Sequence, residues 1–334
     1  MRFSLRFNND LPIAQYAVLA QAAERAGFDQ FWVSNDLFLR SAPVILASIA
    51  QATQRIQIGS CIFNPYTIHP AEIAMFAASM DELSGNRFNL GLAAGAGEFL
   101  KWVGIEQVKP VAMMRETIAV IRALLRGERV DFNGQHLHWT NEAYLRFSAP
   151  RTTPIYLGAM SEGMLRLAGD CCDGVLPLLF PPENYYQVRD LVRNSVRTGA
   201  SPDPTEFDFA ACIWVSLDED RAAARRVLAQ KIAYYGHALS PLIYERLGLT
   251  RDDFRPIERA LMVERDEDKA VRMVLADERM LRIGICGDAD DVIERLKPLI
   301  AAGATHISFG PPLGPDPLKA IALLGKRVVG RLKD

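Results

Sequence analysis

Ile56-Gln57-Ile58-Gly59-Ser60-Cys61-Ile62-Phe63-Asn64-Pro65-Tyr66-Thr67-Ile68-His69-Pro70 contains an apolar run that stops at an Asn-Pro pair. Proline brings no amide hydrogen to a sheet ladder and restricts the residue before it, so a buried strand ends here at a defined place. In sheets of strand–helix units, ligands sit at the carboxyl ends of the strands. The stretch therefore marks an element of the fold and a place to look for a site.

The same alternation extends on both sides of it. Strands are predicted at Met1 to Phe7, Phe31 to Val33, Arg55 to Ile62, Phe88 to Ala93, Ile155 to Leu157, Gly174 to Leu179, Phe207 to Leu217 and Thr305 to Phe309. Between them, apolar residues at helical spacing predict helices such as Ile13 to Ala26, Pro43 to Ala52, Ala71 to Ser84, Val111 to Arg126, Pro182 to Thr198, Glu219 to Tyr235 and Asp288 to Ala302. Short runs buried on both faces, each followed by a helix, imply a parallel sheet. Eight such units in 334 residues fit a closed (β/α)8 TIM barrel of the α/β class, with insertions, as a single domain. Two stretches interrupt the rhythm. Asp131 to Arg151 carries Asn133-Gly134 between alternating apolar residues, a hairpin signal. Ala238 to Arg282 is charged and rich in helix formers, and reads as a mainly helical insertion.

Composition excludes several classes. With 49% hydrophobic and 23% charged residues and a net charge of −2, nothing favours nucleic acid as a partner. Five cysteines without a Cys-x-x-Cys pair argue against a disulfide framework or a zinc site, so no metal is expected. The N-terminus is charged from residue 2 and no long apolar stretch exists, so no membrane span is expected and the protein is read as cytoplasmic. No Walker loop, Gly-x-Ser-x-Gly elbow or His-Glu-x-x-His is present.

Strand ends supply the candidate residues. The first offers Arg6, on the face opposite Phe3, Leu5 and Phe7; an arginine turned into a barrel mouth calls for a carboxylate or a ligand anion. The second offers Asn35 and Asp36. The fourth runs into Ala93-Ala94-Gly95-Ala96-Gly97-Glu98, and the fifth into Gly158-Ala159-Met160-Ser161-Glu162-Gly163, where glycine and serine at a helix start leave amides for an anion. No lysine is placed at any strand end. His69 reads as a structural hydrogen-bonder.

Gly59 to Pro70, with Asn64-Pro65-Tyr66-Thr67-Ile68-His69-Pro70 intact, Asp81-Glu82-Leu83-Ser84-Gly85, Gly104-Ile105-Glu106 with Lys109-Pro110-Val111, and Pro312-Leu313-Gly314-Pro315-Asp316 together resemble the methylenetetrahydromethanopterin reductases of the bacterial luciferase-like superfamily, in the same order over residues 1 to about 330. The resemblance implies a barrel binding a flavin-like ring at its mouth: the deazaflavin coenzyme F420 in the reductases, FMN in other branches. It implies a non-prolyl cis peptide at Cys61-Ile62 behind the ring. Asn35 and Asn64 match ring-contacting positions. Ala96, Gly97, Met160, Ser161, Gly163 and Met164 match positions that hold the ring and its phosphate-bearing tail. Glu98 matches an active-site carboxylate of related deazaflavin-dependent dehydrogenases. Two positions depart from the pattern: Asp36 stands where those dehydrogenases carry histidine, and Arg6 where the reductases carry glutamate. A charge pair between Arg6 and Asp36 is the expected compensation.

The expected activity is hydride transfer between bound F420 or FMN and a small organic substrate, with Asp36 or Glu98 as acid/base, in a homodimer. The alternatives are an FMN-dependent monooxygenase using reduced flavin and oxygen, and a non-catalytic cofactor-binding protein.

Overall fold

The computed structural model describes residues 1–196 and 207–333. Eight parallel strands close on themselves: β1 (Arg2–Phe7), β2 (Gln30–Val33), β3 (Gln57–Ser60), β4 (Phe88–Leu92), β5 (Ile155–Leu157), β6 (Gly174–Val175), β7 (Asp208–Leu217) and β8 (His306–Leu313). Each pairs with the next in chain order, and β8 pairs with β1, so the sheet is a TIM barrel without a free edge among these eight. A short strand, Ile285–Gly287, joins the carboxyl half of β7, which is long enough to pair with β6 and β8 as well.

Period-two alternation sorts the side chains. Phe3, Leu5 and Phe7 of β1 join the main apolar core between barrel and helices. Ser4 and Arg6 turn inward, and both are buried. The helices that cover the barrel are α1 (Ile13–Arg25), α2 (Ala42–Ala52), α3 (Pro70–Ser84), α4 (Pro110–Leu125), α5 (Glu162–Cys171), α6 (Tyr185–Val196), α7 (Arg221–Tyr235) and α8 (Ala289–Ala301). Of the helix predicted over Pro182 to Thr198, Arg197 and Thr198 lie outside the described residues. His69 caps α3, its Nδ1 accepting from the Ala71 amide at 3.3 Å.

Several features differ from the sequence reading: the sixth strand ends at Val175 rather than Leu179, and the eighth begins at His306 and runs on to Leu313. β3 stops at Ser60, earlier than Ile62, because the ladder to β4 opens after Gly59; Phe63 rejoins it as a single bridge to Leu92. Gly97–Trp102 forms a short helix that the sequence reading had not set out, with Glu98 in its first turn. The Asn133-Gly134 hairpin is not a two-residue turn. Phe132–Asn133 pairs with His138–Trp139 around four residues, and the Glu116 carboxylate of α4 accepts the amides of Gln135, His136 and Leu137 at 2.7, 2.9 and 3.0 Å. Between α7 and Ile285–Gly287 lie four helices, Pro241–Leu247, Arg251–Met262, Glu267–Leu275 and Glu278–Leu281. They share a second apolar cluster with α7 that reaches the barrel through Trp214 and Phe180.

Candidate active site

The carboxyl end of the barrel gathers the chemistry. The Cys61-Ile62 peptide is cis. Ile62 leans on the ends of β4 and β5: a Cβ on Gly158 would lie 3.1 Å from Ile62 Cγ2 and 3.2 Å from the Ala93 Cβ. Small residues at Ala93 and Gly158 thus leave room for Ile62 to pack against both. Burial pushes the Cys61 thiol up to about 12, against the pull of neighbouring Arg6, so it is a wall atom and not a nucleophile.

Asn64 is buried and fixes the turn that follows. Its Oδ1 accepts from the Tyr66 and Thr67 amides at 3.2 and 3.0 Å and from Thr67 Oγ1 at 3.1 Å. Gly95, at φ +76°, packs on the Asn64 side chain, where a Cβ would come within 3.3 Å. Gln107 reaches back to hold that loop, donating Nε2 to the carbonyls of Ala94 and Gly95 at 2.9 and 3.0 Å. Ala96 and Gly97 continue into the short helix, and Glu98 stands exposed in its first turn, facing an open cleft of about 550 Å³ lined also by Gly97 and Gln107. Met160 is half exposed, Ser161 caps α5 by accepting the Met164 amide at 3.4 Å, Gly163 is exposed beside Val111, and Met164 is buried. Phe38, Phe99 and Trp102 form an aromatic lip above the mouth, with Trp102 62% exposed.

The expected Arg6–Asp36 pair does not form. Arg6 lies below the mouth, inside the barrel, where Nε donates to Ser308 Oγ at 3.2 Å and Nη2 to the Ile213 carbonyl at 3.0 Å. It rests on Gly310, where any Cβ would collide with the guanidinium. Hydroxyl and carbonyl oxygens of β7 and β8 therefore satisfy it, without a carboxylate. Glu98 does not meet it either.

Asp36 is held from elsewhere. Asn9, fully buried after β1, donates Nδ2 to the carbonyls of Asp36 and Arg40 at 3.1 and 2.7 Å, and its Oδ1 accepts from the Asp36 amide at 3.2 Å and Ser34 Oγ at 3.1 Å. Asn35 sits half-buried within this braced loop. The walls of the mouth raise the Asp36 pKa above the usual carboxylate value by desolvation, opposed by a hydrogen bond from Ser34 and by the charge of Lys231. Lys231 enters from α7, not from a strand end. Its ammonium lies 4.0 Å from the ring centre of Tyr235 and 5.2 Å from that of Trp214. Burial brings its pKa down to about 8, although Asp10 and Asp36 pull it up.

Asn9, Gln107 and Lys231 were not singled out in the sequence. Asn9 follows Asn8 at the end of an apolar strand, and its only signal is that placement. Lys231 lies inside a helical pattern that reads as solvated, with the adjacent Tyr234-Tyr235 as a faint mark. Asn9→Ala removes four hydrogen bonds to one loop. We expect it to lower stability by about 1–3 kcal/mol and weaken ligand affinity at the mouth, read by urea unfolding and ligand titration. Unchanged affinity would show that the loop 34–40 is not part of the site.

The model of the luciferase-like monooxygenase family matches residues 4–306. The chain belongs to this family. It is 33% identical to the 5,10-methylenetetrahydromethanopterin reductase of Archaeoglobus fulgidus over 336 residues, covering 100% of both chains. It is 32% identical to the reductase of the same name from Methanolobus tindarius, covering 99% of this chain and 100% of that one. The solved coenzyme F420-dependent tetrahydromethanopterin reductase of Methanopyrus kandleri superposes with a TM-score of 0.91 at 27% identity, covering 99% of each chain. Among the described residues, no helix is long and apolar enough to cross a membrane.

Proposed function

We propose that this luciferase-like protein is a coenzyme F420-dependent oxidoreductase that moves a hydride between the deazaflavin and a small organic substrate of the methylenetetrahydromethanopterin type. What supports this is a chain that aligns end to end with reductases of that name, with the cis Cys61-Ile62 peptide at the strand ends and Ile62 packed on Ala93 and Gly158. The residues present fit such a coenzyme: apolar Ile62 and Ala93 with Gly158 at the strand ends for a ring, and a helix start capped by Ser161 for an anionic tail. The deazaflavin, when bound, supplies the two-electron chemistry. Asn35, Cys61, Ile62, Asn64, Ala96 and Gly97 would position the ring. Met160, Ser161, Gly163 and Met164 would hold the tail. Asp36 and Glu98 face the substrate side as acid/base groups, while Arg6 keeps its place beneath the floor and charges it positively.

We place the protein in the cytoplasm as a homodimer. Titration with F420 and with FMN, followed by fluorescence of Trp102 and Trp214 near the mouth, tests the cofactor. F420 is expected to bind more tightly than FMN; tight binding of neither would overturn the reading, and tighter FMN binding would favour monooxygenase chemistry.

A further inference from the structure

Arg6 is only 6% exposed, yet it makes no ion pair among the described residues. The oxygens that hold it are neutral. Nε donates to Ser308 Oγ at 3.2 Å, and Nη2 to the carbonyls of Ile213 and Ser308 at 3.0 and 3.5 Å. The neighbouring Cys61 thiol is a weak acceptor and brings no charge. Nη1 keeps its two N–H donors without an oxygen partner among the described residues. A buried cation in this state is costly until a counter-charge reaches it. Its opening lies toward the mouth. Around and below it, Ser4, Trp32, His306 and Ser308 are sealed at 0%. At the strand end above, Cys61 and Ile62 pack on the apolar cluster inside the barrel and are only partly buried. Solvent thus reaches Arg6 past the cis Cys61-Ile62 peptide, where a ligand would enter.

We propose that Arg6 is the anchor for a carboxylate on the substrate, so that the hydride partner of this protein is an organic acid whose anionic group reaches the barrel floor. This rests on the hydride-transfer reading above and narrows its substrate. An inward arginine calls for a carboxylate of the protein or an anion of the ligand, and the protein supplies none. A flat guanidinium with one free nitrogen suits a planar carboxylate, which accepts its N–H groups in charge-assisted hydrogen bonds. The sealed layer beneath lowers the local dielectric and strengthens that attraction. The existing bonds to β7 and β8 fix the guanidinium in advance, so little freedom is lost when the anion arrives. Gly310 makes this placement possible, since a Cβ there would lie 2.3 Å from Nη2. Arg6 binds and orients the substrate and moves no proton, because a guanidinium stays charged.

Calorimetric titration of the full chain with benzoate and crotonate, each against its neutral amide, and with inorganic phosphate tests the anchor. The carboxylates are expected to bind at least about tenfold more tightly than their amides, the difference a charge-assisted hydrogen bond makes. Arg6→Met is expected to remove that difference. Arg6→Lys keeps a charge without the planar group and should retain only part of it. The comparison of acid with amide needs no variant, so it stands even where Arg6→Met does not fold. Equal affinity for acids and amides, no binding of either acid, or unchanged benzoate affinity in a folded Arg6→Met protein would overturn the anchor. Tighter binding of phosphate than of either acid would overturn the carboxylate assignment. Absence of F420 binding to the unaltered protein would instead defeat the cofactor reading, with the acid–amide comparison still deciding the role of Arg6.

Discussion

Asp208→Leu is expected to lower the unfolding free energy by about 3–5 kcal/mol, since it strips a buried network of its anion. Asp208 begins β7 and is almost fully buried at the amino end of the barrel. Its carboxylate takes Nδ1 of His306 at 3.0 Å, the Tyr156 hydroxyl at 2.9 Å and Arg2 at 3.0 Å, while His306 Nε2 meets Ser4 Oγ at 2.8 Å. Removing Asp208 strands polar groups of β1, β5 and β8 in a dry interior. Burial alone would raise the Asp208 pKa; His306, Arg2 and Tyr156 outweigh it and hold the carboxyl well below the usual range. A depressed carboxylate stabilises the fold above its unfolded pKa of about 3.9, and that contribution is lost as pH falls toward the folded value. Urea midpoints should therefore drop steeply below pH 4 in the unaltered protein and less so in Asp208→Asn. Equal slopes would mean the network is not what acid breaks. Because this cluster lies opposite the mouth, F420 affinity of the folded Asp208→Asn protein should be little changed, as expected of the stability face of a barrel.

Gly91→Ala is expected to be as damaging, and to reach the site. A Cβ there would lie 1.9 Å from the Ser60 carbonyl oxygen, a collision with backbone that no rotamer relieves. Ser60 Oγ also bonds both the amide and the carbonyl of Gly91, each at 3.0 Å. These bonds take over where the β3–β4 ladder has opened ahead of Cys61-Ile62. Gly91 thus lets the two strands close beneath the wall on which the ring would rest. Forcing them apart should cost about 3 kcal/mol or more and displace Ile62, so both the urea midpoint and F420 affinity should fall. Ser60→Ala leaves the Gly91 amide unpaired and should show a smaller loss, about 1–3 kcal/mol. A Gly91→Ala protein with normal stability and affinity would refute this account of how the wall is built.

Eight strand–helix units were legible because each carries its own period: short apolar runs for strands and 3.6-residue spacing for helices, with stops such as Asn64-Pro65 and Gly85. The wall residues were legible for the same reason, since strand ends follow once strands are placed. The inward turn of Arg6 was also readable, from alternation along Phe3, Leu5 and Phe7. Its partners were not. They come from β7 and β8, and Ser308 lies 302 residues away in sequence. Which inward side chains meet inside a barrel depends on closure and strand stagger, and no local pattern encodes either.

The chain by itself therefore determined the barrel, its mouth and the family of rings that mouth resembles, because these rest on local periodicity and contiguous motifs. The tertiary structure alone decided the electrostatics of the site. It gave Arg6 to oxygens of β7 and β8, braced Asp36 on Asn9, and set Lys231 of α7 on the rings of Trp214 and Tyr235. Charges act through space and through the dielectric around them, and the folded wall of Trp214 and Tyr235 sets that dielectric for Lys231.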